Sequence, residues 1–290
     1  MTAVEMTAGN TLHHCEEILA EAPDDWALAR LFLPRESRNA STALLALRAE
    51  LRRLPFSSEE PGIVHMKLQW WRDEIERAAN GETQHPVLQA MSAFGFPAGL
   101  ESDYLQELVD AAAMEFDADA IRNDADRQLY LYRSSGVVAE LFARLACGLD
   151  RSQSRLARDI GMACGQLDVL QRLAHDLPRS CFRIPLDALA THEIAPAAIA
   201  QAPAERRAAL LKGERDMLDR LRITARTRMA ETEPLAALRV MWRRLEEDYQ
   251  RLPDDLASLT VTAPQQPGML RRLWSAWRAV RKPIRSNGQD

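Results

Sequence analysis

Prolines cut this chain into helix-length pieces. Pro34, Pro55, Pro61, Pro97, Pro185, Pro203 and Pro234 fall between, or at the ends of, stretches whose apolar residues recur at helical spacing. The expected helices cover residues 11–21, 25–33, 41–54, 62–80, 86–94, 100–121, 125–148, 152–176, 204–230 and 235–252. Their links are short, which makes consecutive helices antiparallel neighbours. Only residues 186–201 are Pro- and Ala-rich without a clear period. β-branched runs are almost absent while Ala, Leu and Arg are abundant, so an all-α fold is expected. No repeat or Ser/Gly linker divides the chain, and 290 residues can bury a substantial single core. Three parts are expected: a flexible terminus over 1–10, a helical domain over 11–260 and a basic amphipathic tail over 261–290.

One stretch organises the rest: Lys67–Val87, KLQWWRDEIERAANGETQHPV. Leu68, Trp71, Ile75 and Ala78 form an apolar stripe, and Arg72, Asp73, Glu74, Glu76 and Arg77 cover the other side. Asn80-Gly81 should end this helix, and Pro86 forces His85 to be extended before the next begins. Only one of the adjacent Trp70 and Trp71 can sit at the centre of the stripe. The other is expected nearer a cavity or a satellite contact.

Charge narrows the function classes. The net charge is −5, yet residues 261–290 hold six Lys/Arg and one acid, which leaves an acidic body. Such a body argues against nucleic acid as the main partner. Cys15, Cys147, Cys164 and Cys181 form no CxxC pair and read as reduced core residues. His13, His14, His65, His85, His175 and His192 lack the helical pairing of a zinc motif. No Gly-rich phosphate loop, GxSxG or Cys/His nucleophile pair is apparent. Apolar runs are too short to span a bilayer, and the N-terminus has no signal pattern, so a cytoplasmic protein, peripheral at the inner face of a membrane, is expected.

The block WWRDE, Gly81, His85-Pro86 resembles the second conserved block of the squalene/phytoene synthase family. Arg30–Arg38 (RLFLPRESR) followed by Leu44–Glu50 (LLALRAE) is similar to that family's opening block, and the resemblance runs over roughly residues 25–190. It implies a single-domain, all-α isoprenoid-synthase-like bundle around a central apolar cavity. It also implies two facing acidic clusters that hold Mg²⁺ against diphosphate oxygens. The first cluster should lie on Ser41–Leu54, STALLALRAELRRL. That segment has one acid, Glu50, with Arg52 and Arg53 where the synthases place later carboxylates. Glu50 is expected to pair with Arg53 or Arg48, or to remain as a polar pocket residue. The second cluster should lie in Gly161–Pro185. Gly161, Gly165, Gln166, Leu167, Arg172 and Pro185 match the family block, but Val169 and Leu173 replace its Asn and Asp. Asp176 survives. Asp168, Arg172 and Asp176 fall at i, i+4 and i+8, where they can neutralise one another, or Arg172 can contact an anion. In Tyr130–Glu140, Gly136 implies either tight helix packing or a lipid-facing wall.

These readings predict no catalytic or metal-binding set beyond the residual acids Glu50 and Asp176, with Mg²⁺ as cofactor only if the protein is active. The expected pocket residues are Arg38, Trp70, Trp71, Arg72, Tyr132, Gly136, Gln166 and Arg172. The pattern resembles the family's degenerate branch, which includes a mitochondrial complex I assembly factor. A non-catalytic, membrane-associated protein binding a prenyl or other lipid chain, or a protein partner, is therefore expected. The alternatives are a head-to-head prenyl diphosphate transferase and a structural helical adaptor. In the tail, Met269, Leu270, Leu273, Trp274, Trp277 and Val280 share one arc, with Arg271, Arg272 and Arg278 mainly on the other side. Pro264, Pro267 and Gly268 should detach this helix, which then either packs as a last helix or lies in the plane of a membrane.

Overall fold

The computed structural model describes residues 3–21, 24–95, 102–117, 119–148, 150–265 and 267–281. The helices are α1 (Ala3–Glu21), α2 (Asp25–Ala29), α3 (Arg35–Arg53), α4 (Pro61–Ala79), α5 (Pro86–Ala93), α6 (Ser102–Phe116) and α7 (Asp124–Leu131). They continue as α8 (Val137–Cys147), α9 (Arg151–Gln171), α10 (Leu173–Asp176), α11 (Leu186–Thr191), α12 (Ala204–Glu231), α13 (Ala236–Tyr249) and α14 (Met269–Arg281). No strand occurs among the described residues, and the expected all-α class holds.

α9 is the axis of the bundle. It packs against α8, α12 and α13 along its length, while α3 joins α1, α5 and α8 on the other side of α8. Leu156, Ile160, Ala163, Leu167 and Leu170 are buried along α9 and repeat at helical spacing. Sequence signals account for several helix ends. Pro61 and Pro86 sit in the first turns of α4 and α5, where a missing N–H costs nothing. Asn123 and Asp150 cap α7 and α9 by accepting backbone N–H bonds from the first turn. Gly81, at φ +78°, supplies the left-handed residue after α4.

Some boundaries differ from the sequence reading. α1 begins at Ala3, inside the segment expected to be a loose terminus. α3 begins at Arg35, because extended Pro34 already opens the helix. The segment expected as one helix over 125–148 is interrupted by a π turn, Tyr132–Gly136. α9 closes against that turn so tightly that a Cβ on Gly161 would lie 2.6 Å from both the Ser135 carbonyl oxygen and the Ala139 Cβ. A Cβ on Gly165 would lie 2.8 Å from Ser135 Oγ. The close approach thus belongs to α9, and Gly136 is part of a helix contact. The helix expected over 152–176 is interrupted at Arg172, which ends α9 with φ −97° and ψ 0° before α10 begins at Leu173. Expected segments at residues 97–101, 118 and 282–284 lie outside the described residues.

The WWRDE stretch is an anchor. Trp71 is 4% exposed and packs its ring 4.6 Å from that of His85, whereas Trp70 is 43% exposed. Glu74, buried behind them, accepts bonds from Thr83 Oγ1 (2.6 Å), Gln84 N (2.8 Å) and His85 N (3.0 Å), and pairs with Arg77. One carboxylate therefore shapes the α4–α5 loop. Burial alone would raise its pKa, but these donors outweigh burial and hold it at about 2.

Candidate functional site

A cavity of about 860 Å³ opens between α2, α3, α9, α10, α13 and α14. Trp26, Leu45, Leu167, Met241 and Leu245 give it apolar walls. Seven arginines and four aspartates also line it, so its ionic lining is predominantly basic.

The acids that survive from the expected metal clusters face guanidinium groups. Asp168 accepts from Arg52 Nη2 at 2.6 Å and lies 3.4 Å from Arg183 Nη1. Burial would raise the Asp168 pKa, but Arg52, Arg172 and Arg183 hold it at about 2. Asp176 lies 3.3 Å from Arg183 Nη2, 3.4 Å from Arg172 Nη2 and 2.8 Å from His175 Nδ1. Arg183 Nη2 also reaches Glu115 at 3.2 Å, and Glu115 accepts from Tyr130 Oη at 2.7 Å. Burial works against the Arg183 charge, but Glu115 and its other neighbours raise its pKa well above the ordinary arginine value. Glu50 pairs with Arg53 at 3.3 Å, one of the two partners expected, while Arg48 turns to Asp24.

Mg²⁺, which the resemblance implies, does not fit this arrangement. A divalent ion requires several carboxylate oxygens free to converge. Here Arg183 occupies the point on which Asp168, Asp176 and Glu115 converge, and Glu50 is turned toward Arg53. Among the described residues, no group of three or more His, Cys, Asp or Glu side chains is placed to hold a metal.

Of the expected pocket residues, Arg172 lines the cavity and the others do not. Trp70, Trp71 and Arg72 belong to the α4 surface and its contacts, with Arg72 paired to Asp110 at 2.9 Å. Trp71 packs inward with the α4 stripe, away from the cavity, while Trp70 is 43% exposed. Arg38 donates to the Leu33 carbonyl at 3.1 Å, holding the turn before α3. Tyr132 and Gly136 lie in the π turn against α9. Gln166 is fully buried and donates to Glu214 Oε2 at 2.9 Å, which ties α9 to α12. Asp168, Arg172 and Asp176 do not form the simple ladder expected, because Arg183 reaches both aspartates. Arg183, Glu115 and Tyr130 were not singled out in the sequence. The available signal was a lone charge in an apolar run: Arg183 between Phe182 and Ile184, and Glu115 between Met114 and Phe116.

Of the two arrangements expected for the tail helix, the structure has the packed one: α14 is docked on α13, and Pro264, Pro267 and Gly268 do not detach it. Its inward face is small and polar: Arg272 reaches Asp25 at 2.8 Å, Ser275 donates to Glu247, and Ala276 is buried. Arg272 therefore lines the cavity instead of a basic outer face. The apolar arc points outward, with Leu270 84%, Trp274 57% and Trp277 46% exposed. Arg278 and Arg281 lie over the Trp274 and Trp277 rings at 4.5 and 4.0 Å. No helix among the described residues is long and apolar enough to cross a membrane.

Known proteins share both the sequence pattern and the fold. The family model for squalene/phytoene synthase matches residues 20–266. The human "NADH dehydrogenase (ubiquinone) complex I, assembly factor 6" is 26% identical over 188 residues, covering 64% of this chain and 56% of that protein. A phytoene synthase of Mycobacterium tuberculosis is 25% identical over 176 residues, covering 60% of this chain and 57% of the enzyme. The chain thus spans little more than half the length of these curated relatives. Among solved structures, a dehydrosqualene synthase in complex with ligand superposes with a TM-score of 0.76 at 14% identity, covering 95% of this chain and 97% of that one. A squalene synthase from Alicyclobacillus acidocaldarius gives 0.62 at 19% identity, covering 87% and 95%. These two show the same all-α fold.

Proposed function

The chain belongs to the squalene/phytoene synthase family, and from that membership we propose that it is a non-catalytic, membrane-docked member that holds a lipid chain in its cavity. One observation carries the reading: Asp168 and Asp176, the acids left at the second cluster, are held by Arg183, an arginine 3% exposed. A prenyl diphosphate transferase needs its leaving group clamped and polarised by a metal. Glu50 in its pair with Arg53, and two aspartates facing a buried guanidinium, do not supply that clamp.

The outward arc of α14 supports membrane docking. A helix that turns Ser275 and Ala276 inward while exposing Leu270, Trp274 and Trp277 leaves its most apolar side for another phase. Arg271, Arg278 and Arg281 flank that side and would add roughly 1 kcal/mol each near an anionic surface. The inner leaflet, with its anionic lipids, is the surface such a helix fits. A second reading, a role in building a protein assembly, draws on the similarity to complex I assembly factor 6. The same outward arc would then meet a protein.

The test is sedimentation with phosphatidylserine vesicles, alongside an assay for diphosphate release from farnesyl and geranylgeranyl diphosphate with Mg²⁺. The full chain should sediment at low salt, and the double variant Trp274→Glu, Trp277→Glu should stay in solution. Neither diphosphate should turn over. Turnover abolished by Asp176→Asn would restore the transferase, and vesicle binding unaffected by the Trp changes would remove the docking face.

A further inference from the structure

We propose that the outer side of α4 docks a basic segment of a protein partner, with an arginine or lysine of that segment lying on the Trp70 ring. This face is separate from the cavity and from the outward arc of α14, so the inference does not depend on the lipid reading.

Met66 and Trp70 stand one turn apart on α4 and are 66% and 43% exposed. One turn earlier, Gly62 adds no side chain, and a Cβ there would meet nothing within 4 Å. Trp70 is exposed without being loose. Its ring meets those of Trp71 and His85 edge-on, at 5.2 and 5.7 Å, and Trp71 is itself buried. A large ring held in place before binding loses little entropy when it is covered, which is the property of an interface anchor.

Charge identifies the occupant. Glu59, Glu60, Asp73, Glu76 and Glu82, on α4 or at its two ends, are exposed, and none is in an ion pair among the described residues. The cations of the same stretch are committed: Arg72 pairs with Asp110, Arg77 with Glu74, and Lys67 turns to the Ser57 carbonyl at 3.4 Å. Burial holds the His85 pKa below its usual value, which keeps the ring beside Trp70 uncharged at neutral pH. The exposed tryptophans of α14 show what is missing. Trp274 and Trp277 carry the guanidiniums of Arg278 and Arg281 over their rings, whereas no cation of this chain lies over Trp70 among the described residues. An aromatic ring rimmed by unpaired acids attracts a cation, and a basic residue next to an apolar one satisfies Trp70 and Met66 together. The same acids repel an anionic bilayer, so this face suits a protein where α14 suits a membrane.

Fluorescence anisotropy of the full chain with a labelled helical peptide, a leucine stripe flanked by arginines, tests this. Its counterpart with every arginine replaced by glutamate is the control. The arginine peptide should bind at low salt and weaken as salt rises. The glutamate peptide should bind at least tenfold more weakly. Trp70→Ala should weaken the arginine peptide tenfold or more, the loss expected for an anchor tryptophan. Met66→Gln, at an exposed position, gives the same test if the Trp70 variant does not fold. Asp73→Lys should weaken binding several-fold, whereas Glu205→Lys, the same charge change at an exposed position on α12, should leave it unchanged. No binding of the arginine peptide, or equal binding of both peptides, would overturn the proposal. So would binding indifferent to Trp70→Ala and Met66→Gln. Trp70→Glu should sediment with phosphatidylserine vesicles as the parent does; loss of sedimentation would make α4 a membrane face instead. A parent dimer that Trp70→Ala turns into a monomer would make a second copy the occupant and overturn the basic partner.

Discussion

Arg183→Met deletes a charge shared by three carboxylates while keeping much of the side-chain volume. In the parent, Arg183 Nη2 lies 3.2 Å from Glu115 and 3.3 Å from Asp176, and Nη1 lies 3.4 Å from Asp168. The Glu115 and Asp176 side chains are each 4% exposed, so water cannot replace the guanidinium. Stranding buried charge in this way costs about 3–5 kcal/mol. At roughly 2–4 °C per kcal/mol for a domain approaching this size, melting should fall on the order of 10 °C. Asp168, a third exposed and still facing Arg52, adds little to that figure.

The variant has one further signature. Its deficit relative to the parent should shrink in millimolar Mg²⁺, because deleting Arg183 leaves three carboxylates around one point, the donor set a hard cation accepts. Differential scanning calorimetry of parent and variant at neutral pH, with Mg²⁺ or EDTA, measures both effects. Melting at neutral pH unchanged from the parent would refute the claim that this guanidinium holds the acids together. A deficit indifferent to Mg²⁺ would refute the idea that it stands where a metal could.

Trp71→Ala should cost about 3–5 kcal/mol in urea unfolding, because a large buried ring is removed. Trp70→Ala should cost about 1 kcal/mol, because that ring is 43% exposed and keeps only edge contacts with Trp71 and His85; similar losses for both would show that the α4 stripe is misassigned. Glu74→Gln should lower stability by roughly 2–3 kcal/mol at neutral pH, since a charged acceptor shared by Thr83, Gln84 and His85 becomes neutral. The Glu74 carboxyl is held at about 2, below its ordinary 4.5, so its contribution is complete above that ordinary value and is lost as pH falls toward 2. The variant should therefore show a weaker acid dependence than the parent between pH 5 and 2, and parallel urea-derived curves would sink the argument.

Periodicity and prolines made the fold legible because each acts locally. Pro61, Pro86 and Gly81 fix helix ends through their own backbone, and the Leu68–Ala78 stripe can face only a core. The candidate site was legible only through its missing groups. Arg52 and Arg53 on α3 and Val169 and Leu173 on α9 and α10 already announce that carboxylates are absent. Their replacement was hidden, because Arg183 meets Glu115 across 68 residues of sequence and Asp168 meets Arg52 across 116. No spacing rule reaches that far. The tail misled for a related reason. The helical wheel placed the Trp arc correctly, but which side of an amphipathic helix faces the protein depends on the partner, and α13 offers α14 a carboxylate, Glu247, for Ser275.

An arginine in place of a metal keeps the sign of the charge and changes everything else about it. Mg²⁺ can enter with a diphosphate and leave with the product, and it polarises the bond to the leaving group. The Arg183 guanidinium is tethered, buried and charged at every pH the fold survives, so it compensates Asp168, Asp176 and Glu115 permanently. The acids then no longer repel an incoming anion, because their charge is met from inside the wall. The basic groups that remain toward the cavity, Arg172 and Arg179 above all, set its sign. A wall built this way carries its positive charge in side chains that cannot leave it.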